Sequence, residues 1–200
     1  MARDEREEFA SFLDGLTEEQ WNSPTLCDQW RVREVAIHTV SYDELSTAGL
    51  VGRFLKGRLN TDRINAVGVA DYADRAPEQI TAMIRANAEP HGLTGGFGGK
   101  IALTDGMIHQ QDIRRSIGLP RTIVPERLRT ALDFARFAPT IRGAWRARGV
   151  RLVATDMDWA YGKGPEVRGR GEALLMAMAG RRAALDDLDG PGKAKLAQHI

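Results

Sequence analysis

The chain has only one cysteine, Cys27, in 200 residues. No disulfide can close within it, which fits a reducing compartment. No apolar run approaches the ~20 residues that span a bilayer, and the charged opening MARDEREEF lacks the apolar segment of a secretory signal. These absences predict a cytoplasmic protein with no membrane partner. Net charge is almost absent: 28 Lys and Arg against 27 Asp and Glu leave +1. With the arginines spread along the chain, nothing marks a general nucleic-acid binder. The glycine-rich HGLTGGFGGK fails the phosphate-binding GxxxxGK[ST] pattern, because Thr94 stands where the first glycine belongs, so it reads as a loop between helices. DDLDGPG lacks the spacing of a calcium loop and reads as a helix stop. No internal repeat or low-complexity tract occurs.

What is present is an ordinary globular composition, 42% hydrophobic and 28% charged, with helical periodicity over most of the length. Phe9, Phe12, Leu13 and Leu16 predict an amphipathic helix over 3–16. TEEQ predicts a capping box on Thr17 and Gln20, and SPTLCDQW a loop broken by Pro24. From Val32 to about Leu55 the pattern is helical again, with Val35, His38, Tyr42 and Leu45 on one stripe. The stretch 57–76 reads as irregular. Pro77 opens a helix to about Glu89, another spans about 100–117 and stops at Gly118 and Pro120, and Pro125 opens one that ends near Pro139. After Gly149 the character changes. VRLVATDMDWAY is β-rich, GKG supplies a turn, PEVRG a returning strand, and EALLMAMAGRR a helix. The expectation is a mainly α protein, a helical bundle over 1–145 followed by a small α/β unit over 146–200.

The stretch LTDGMIHQQDIRR carries the chemistry. Asp105, His109 and Asp112 fall on one helical face, and the i, i+4 spacing of Asp105 and His109 lets both reach one ion. His38, inside another amphipathic helix, supplies a third ligand if the two helices face each other in a bundle. Three protein ligands leave an open position, as in catalytic zinc sites; imidazole and carboxylate also suit iron, nickel or manganese. Asp112 is placed to accept the second ring proton of His109 from outside the ligand set. The plainer alternative is a hydrogen-bonded core histidine at 38 and a helix-start charge at 105. Cys27 reads as a small buried residue rather than a nucleophile, Trp21 and Trp30 as packing residues, His91 as exposed and His199 as solvated.

Three segments in order, LTEEQWNSPTLCDQWRVREVAIHTV, LTDGMIHQQDIRRSIGLPR and GVRLVATDMDWAYGKGPEVRGRGEALLMAMAGRRAALDDLDGPG, resemble the mycothiol-dependent maleylpyruvate isomerase family of the DinB-like metal-binding four-helix-bundle superfamily. The resemblance covers almost the whole chain. It implies a DinB-like four-helix bundle with a small C-terminal α/β unit. It also implies metal ligands at His38, Asp105 and His109, zinc first among the ions, and a catalytic arginine in a small-Gly-Arg sequence, here Arg181. Mycothiol, a low-molecular-weight thiol of actinobacteria, would be the thiol co-substrate, and the electrophile a small molecule that can bear a carboxylate. The family's acidic ligand is a glutamate. Asp105 is one methylene shorter, so the ion would sit nearer its helix or bind through water. Arg31 stands where related sequences place a Ser or Thr cap, a loss worth about 1 kcal/mol unless another group replaces it. The expected activity is a metal-dependent thiol transferase or isomerase. A metal-assisted hydrolase and a non-catalytic metal-binding stress or regulatory protein are the alternatives.

Overall fold

The structure, a computed structural model, describes residues 1–200 and divides into two compact units, Met1–Pro120 and Arg121–Ile200. No helix is long and apolar enough to cross a membrane.

The first unit is a helical bundle. Helix α1 (Ala2–Asp14) buries Phe9, Ala10 and Leu13 on one stripe. Helix α2 (Glu18–Trp21) starts with the expected capping box: the Gln20 N–H donates to Thr17 Oγ1 at 3.2 Å and the Thr17 N–H to Gln20 Oε1 at 2.9 Å. At the start of α3 (Val32–Val40) the Arg31 N–H donates to Glu34 Oε2 at 2.8 Å. The glutamate one turn on thus satisfies the Arg31 N–H, the reciprocal half of a capping box, while the Arg31 side chain caps no first-turn N–H. Helices α6 (Pro77–Ala86) and α7 (Gly96–Ser116) complete the frame, and α1 and α3 each pack against both. Phe9, Leu13, Trp21, Val35, Ile80, Ile84 and Ile113 form the core between them.

Two expectations need correction here. The stripe read from Val32 to Leu55 breaks after Val40. Asp43 turns inward, accepting from Arg6 Nη1 at 3.0 Å and Nη2 at 2.8 Å and from Thr94 Oγ1 at 2.5 Å. Ser46 then starts a separate helix, α4 (Thr47–Lys56), by accepting from the Gly49 N–H at 3.1 Å. The stretch read as irregular holds α5 (Thr61–Ala70), opened by Asn60, whose side-chain oxygen accepts from the Arg63 N–H at 3.0 Å. Helix α7 enters through three left-handed residues, Phe97, Gly98 and Gly99, so its regular part begins at Lys100, as expected.

The second unit begins before the expected boundary at 145. Helix α8 (Pro125–Ala135), expected as the last helix of the bundle, packs in it. Leu128 and Leu132 lie against Gly171, and Trp159 Nε1 donates to Asp133 Oδ1 at 3.1 Å. A short α9 (Gly143–Arg146) leads to β1 (Arg151–Ala154), β2 (Ala160–Gly162) and β3 (Glu166–Gly169). The β-rich stretch is itself a hairpin: β2 pairs antiparallel with β1, and β3 returns to pair parallel with β1's other edge. Helix α10 (Gly171–Met178), apolar around its circumference, follows. A 3-10 turn (Arg182–Asp187), β4 (Leu188–Asp189) beside β3, and α11 (Lys193–Ala197) close the unit.

Candidate functional site

His38 projects from α3, and Asp105 and His109 from the regular part of α7. Apolar neighbours on both helices are buried in the bundle, so packing brings the three polar side chains together. Asp105 Oδ1 lies 3.5 Å from His109 Nε2 and 3.9 Å from His38 Nε2, and the three candidate ligand atoms all fall within 4.8 Å of one another. The two imidazoles meet edge to face at 4.8 Å between ring centres. Tyr42 stands edge-on to His38 at 6.3 Å.

Asp112 is one turn beyond His109, and its side chain is 0% exposed. Its Oδ2 lies 3.0 Å from His109 Nδ1. A carboxylate can only accept, so Nδ1 carries the proton and donates, turning Nε2 toward Asp105 and His38. The same oxygen accepts from Cys27 Sγ at 2.9 Å, and Cys27 Sγ is 3.4 Å from His109 Nδ1.

Cys27 and Trp30 were not expected here. They reach the site because the loop between α2 and α3 folds back on itself and onto α7. Thr25 Oγ1 donates to the Trp30 carbonyl at 2.8 Å, the Cys27 N–H donates to Thr25 Oγ1 at 3.1 Å, and the Leu26 N–H donates to the Asp112 carbonyl at 3.3 Å. The Trp30 ring lies 4.9 Å from His38, so it packs against a candidate ligand, whereas Trp21 sits in the core as expected. The signal for the loop was a Thr two residues before the cysteine, a side-chain turn that becomes informative only once α7 supplies its other anchor.

The electrostatics divide the two histidines. Burial pushes the His38 imidazole below its ordinary value, against a smaller pull from Asp105. Burial opposes charge on His109 too, but the Asp105 carboxylate, the Asp112 hydrogen bond and Cys27 outweigh it and hold that imidazole well above its ordinary value. Burial would raise the Asp105 carboxyl. His109, His38 and the Arg6 guanidinium reverse this and bring it down to about 2. A strongly ionised carboxylate against two buried imidazoles is the charge pattern of a cation site whose positive charge is supplied by a proton on His109.

Arg181 lies in the second unit, after α10 has ended and Gly180 has turned the chain at φ +88°; its Nη1 donates to the Ala179 carbonyl at 3.1 Å. His91 is exposed as expected. His199 is half-buried rather than solvated, with Nδ1 3.0 Å from the Arg146 carbonyl. A cleft of about 350 Å³ in the first unit is lined by Leu13, Trp21, Arg33 and Pro77, and none of the candidate residues faces it.

Fold and site together define a helical-bundle protein with a two-histidine, one-carboxylate cluster between its helices. Residues 2–90 match the family described as Mycothiol maleylpyruvate isomerase N-terminal domain. The match includes His38 and ends before α7. No curated protein matches the chain. Two solved structures share the fold: crystal structures of the mycothiol-dependent maleylpyruvate isomerase, with TM-score 0.55, and of a histidine-to-alanine mutant of it, with TM-score 0.56. Each is 14% identical, with 96% of this chain and 90% of the other covered.

Proposed function

We propose that this chain is a mycothiol-using, divalent-metal-dependent isomerase or thiol transferase that acts on a small carboxylate-bearing electrophile. The observation that carries the reading is the convergence of His38 Nε2, Asp105 Oδ1 and His109 Nε2 within 4.8 Å. The donor set fits a divalent ion. Ligands around tetrahedral zinc stand about 3.3 Å apart, and the 3.5 and 3.9 Å separations need only small rotations to reach that. These separations support direct ligation by Asp105, despite its being a methylene shorter than glutamate. A bound cation would supply the Lewis acidity that keeps a thiol ionised at neutral pH.

The chain's own residues have separate tasks. Asp112 fixes the ring and tautomer of His109. Burial keeps His38 neutral and its lone pair available. Trp30 packs on His38 and limits water beside it. Arg181 offers a planar fork to a carboxylate or an enolate oxygen. In the isomerase reading, a thiolate adds to a cis enone acid, the former double bond rotates, and the thiol leaves unchanged. In the transferase reading the adduct is released. A free thiol co-substrate and a lone unbridged cysteine both suit a reducing cytoplasm.

The test combines metal analysis with turnover of maleylpyruvate in the presence and absence of mycothiol. The expected result is about one equivalent of zinc in the wild type, loss of zinc in His109→Ala, and isomerisation only with thiol present. Arg181→Ala should keep metal and melting temperature but lose most of the rate, with lysine restoring part of it. Full metal retention in His109→Ala, or turnover independent of thiol, would refute the proposal.

A further inference from the structure

The His109 ring has two nitrogens, and only Nε2 belongs to the cluster with Asp105 and His38. Nδ1 faces Cys27 and Asp112. There Asp112 Oδ2 lies 3.0 Å from Nδ1 and 2.9 Å from Cys27 Sγ, and Sγ lies 3.4 Å from Nδ1. A thiol, an imidazole and a carboxylate thus offer one ligand atom each, all within 4.8 Å of one another. Around tetrahedral zinc a sulfur stands about 3.6 Å from a lighter ligand atom, and two lighter ones stand about 3.3 Å apart. The three pairs here need to open by at most about 0.7 Å to match, as hydrogen-bonded atoms do when an ion replaces the protons between them.

The backbone already supports such a position. The Cys27 loop is closed at its base by a bridge between Pro24 and Arg31. It is turned by Thr25 and tied to α7 where the Leu26 N–H meets the Asp112 carbonyl at 3.3 Å. The loop therefore holds its cysteine against the same α7 residue whose carboxylate completes the set. The Asp112 side chain is wholly buried and Cys27 half-buried, so the thiol is the side from which an ion enters. Sulfur also selects the ion. Thiolate suits zinc, cadmium or Cu(I) and disfavours magnesium, calcium and manganese, whereas the cluster around Asp105 contains no sulfur.

We propose that Cys27 Sγ, His109 Nδ1 and Asp112 Oδ2 form a second cation position, for a thiophilic ion, which excludes the first by sharing His109. Binding there sends the Cys27 proton to solvent and leaves the ring proton of His109 on Nε2, 3.5 Å from Asp105 Oδ1. A ring protonated at Nε2 has no lone pair for an ion between Asp105 and His38. The second position goes beyond the proposed activity and needs neither its thiol co-substrate nor its electrophile.

Cadmium is the probe, titrated into the metal-free full-length protein and followed by the ultraviolet charge-transfer absorption of a sulfur–cadmium bond. Wild type and His38→Ala should both show the band and saturate near about one equivalent, because the ion at the second position needs His109 but not His38. Asp105→Asn, which also disables the first position, serves the same purpose if His38→Ala folds poorly. Cys27→Ser keeps a hydrogen-bond donor of nearly the same size and should lack the band. Losing a partner outside a ligand set costs about 10- to 100-fold in affinity. Losing the sulfur ligand itself should therefore weaken cadmium binding at least about 100-fold when Cys27→Ser is combined with His38→Ala. Absence of the band in both His38→Ala and Asp105→Asn would overturn the second position, and two equivalents of cadmium in the wild type would overturn the exclusion. Zinc kept by Cys27→Ser and lost by His38→Ala, with no sulfur band, would overturn this position and leave the first standing. The band in His38→Ala, with no zinc held by Cys27→Ser, would overturn the first and leave this one.

Discussion

Removing the Asp43 carboxylate tests how the bundle is held at the end where α1 meets the loops before α4 and α7. Arg6 and Asp43 are 5% and 0% exposed, and two parallel hydrogen bonds of 3.0 and 2.8 Å join them. Thr94 Oγ1 and the His91 N–H also donate to the same carboxylate, at 2.5 and 3.3 Å. Asp43→Ala leaves the Arg6 charge buried without its counter-ion, a loss of about 3–5 kcal/mol for broken buried pairs. The Thr94 hydroxyl keeps a second acceptor, the His91 carbonyl at 3.0 Å, so the loss comes chiefly from the Arg6 charge. Equilibrium urea unfolding followed by circular dichroism reads the result. With an m-value near 2 kcal/mol/M, the midpoint should fall by about 2 M. Asp14→Ala, which opens the exposed pair with Arg85, should cost less than about 1 kcal/mol. The double variant Arg6→Met with Asp43→Leu should recover most of the loss, because apolar groups of similar volume leave no buried charge behind. A loss under 1 kcal/mol in Asp43→Ala would show that the pair is not a stabilising anchor and would refute the reasoning.

Asp112→Asn should weaken zinc binding about 10- to 100-fold, because a carboxamide holds the His109 ring proton less strongly; competition with a chromophoric chelator measures it, and unchanged affinity would remove Asp112 from the metal's support. In metal-free protein, Asp105 is held at about 2 against an ordinary 3.8. Its contribution to stability is whole above pH 3.8 and is lost as pH falls toward 2, so the melting-temperature gap between wild type and Asp105→Asn should narrow over that window. His109 has the opposite sign. Its raised pKa stabilises the metal-free fold below pH 6.5 and ceases to do so as pH climbs past the folded value. Thermal melts of His109→Gln should therefore approach wild type at high pH, and a gap that widens there would contradict the assignment.

The pair on α7 was legible because both residues lie on one regular helix, where spacing alone fixes their geometry. His38 was legible as a polar residue on an apolar stripe. Cys27 was not, since its place depends on Thr25 folding the loop and on Leu26 reaching the Asp112 carbonyl, contacts that join residues far apart in sequence. The break after Val40 was hidden for a similar reason. Ser41 to Leu45 continue a plausible helix until Arg6, from another element, draws Asp43 inward. The place of α8 turned on Asp133 meeting Trp159 and on the close fit at Gly171, neither of which leaves a periodic trace. The sheet's parallel pairing of β1 with β3 was obscured because a hairpin and a crossover share one short β-rich stretch.

The regular part of α7, unbroken from Lys100 onward, gives the site an uneven tolerance to changes in chain length. One residue inserted between Asp105 and His109 would turn everything beyond it by about 100°, carrying His109 and Asp112 away from Asp105 together. The segment 41–95, by contrast, joins the helix of His38 to that of Asp105 through turns and short helices that contribute no ligand. Lengthening it changes loop closure only slowly. Descent with insertion and deletion can therefore reshape the surroundings of this centre freely, while the eight residues from Asp105 to Asp112 must keep their count.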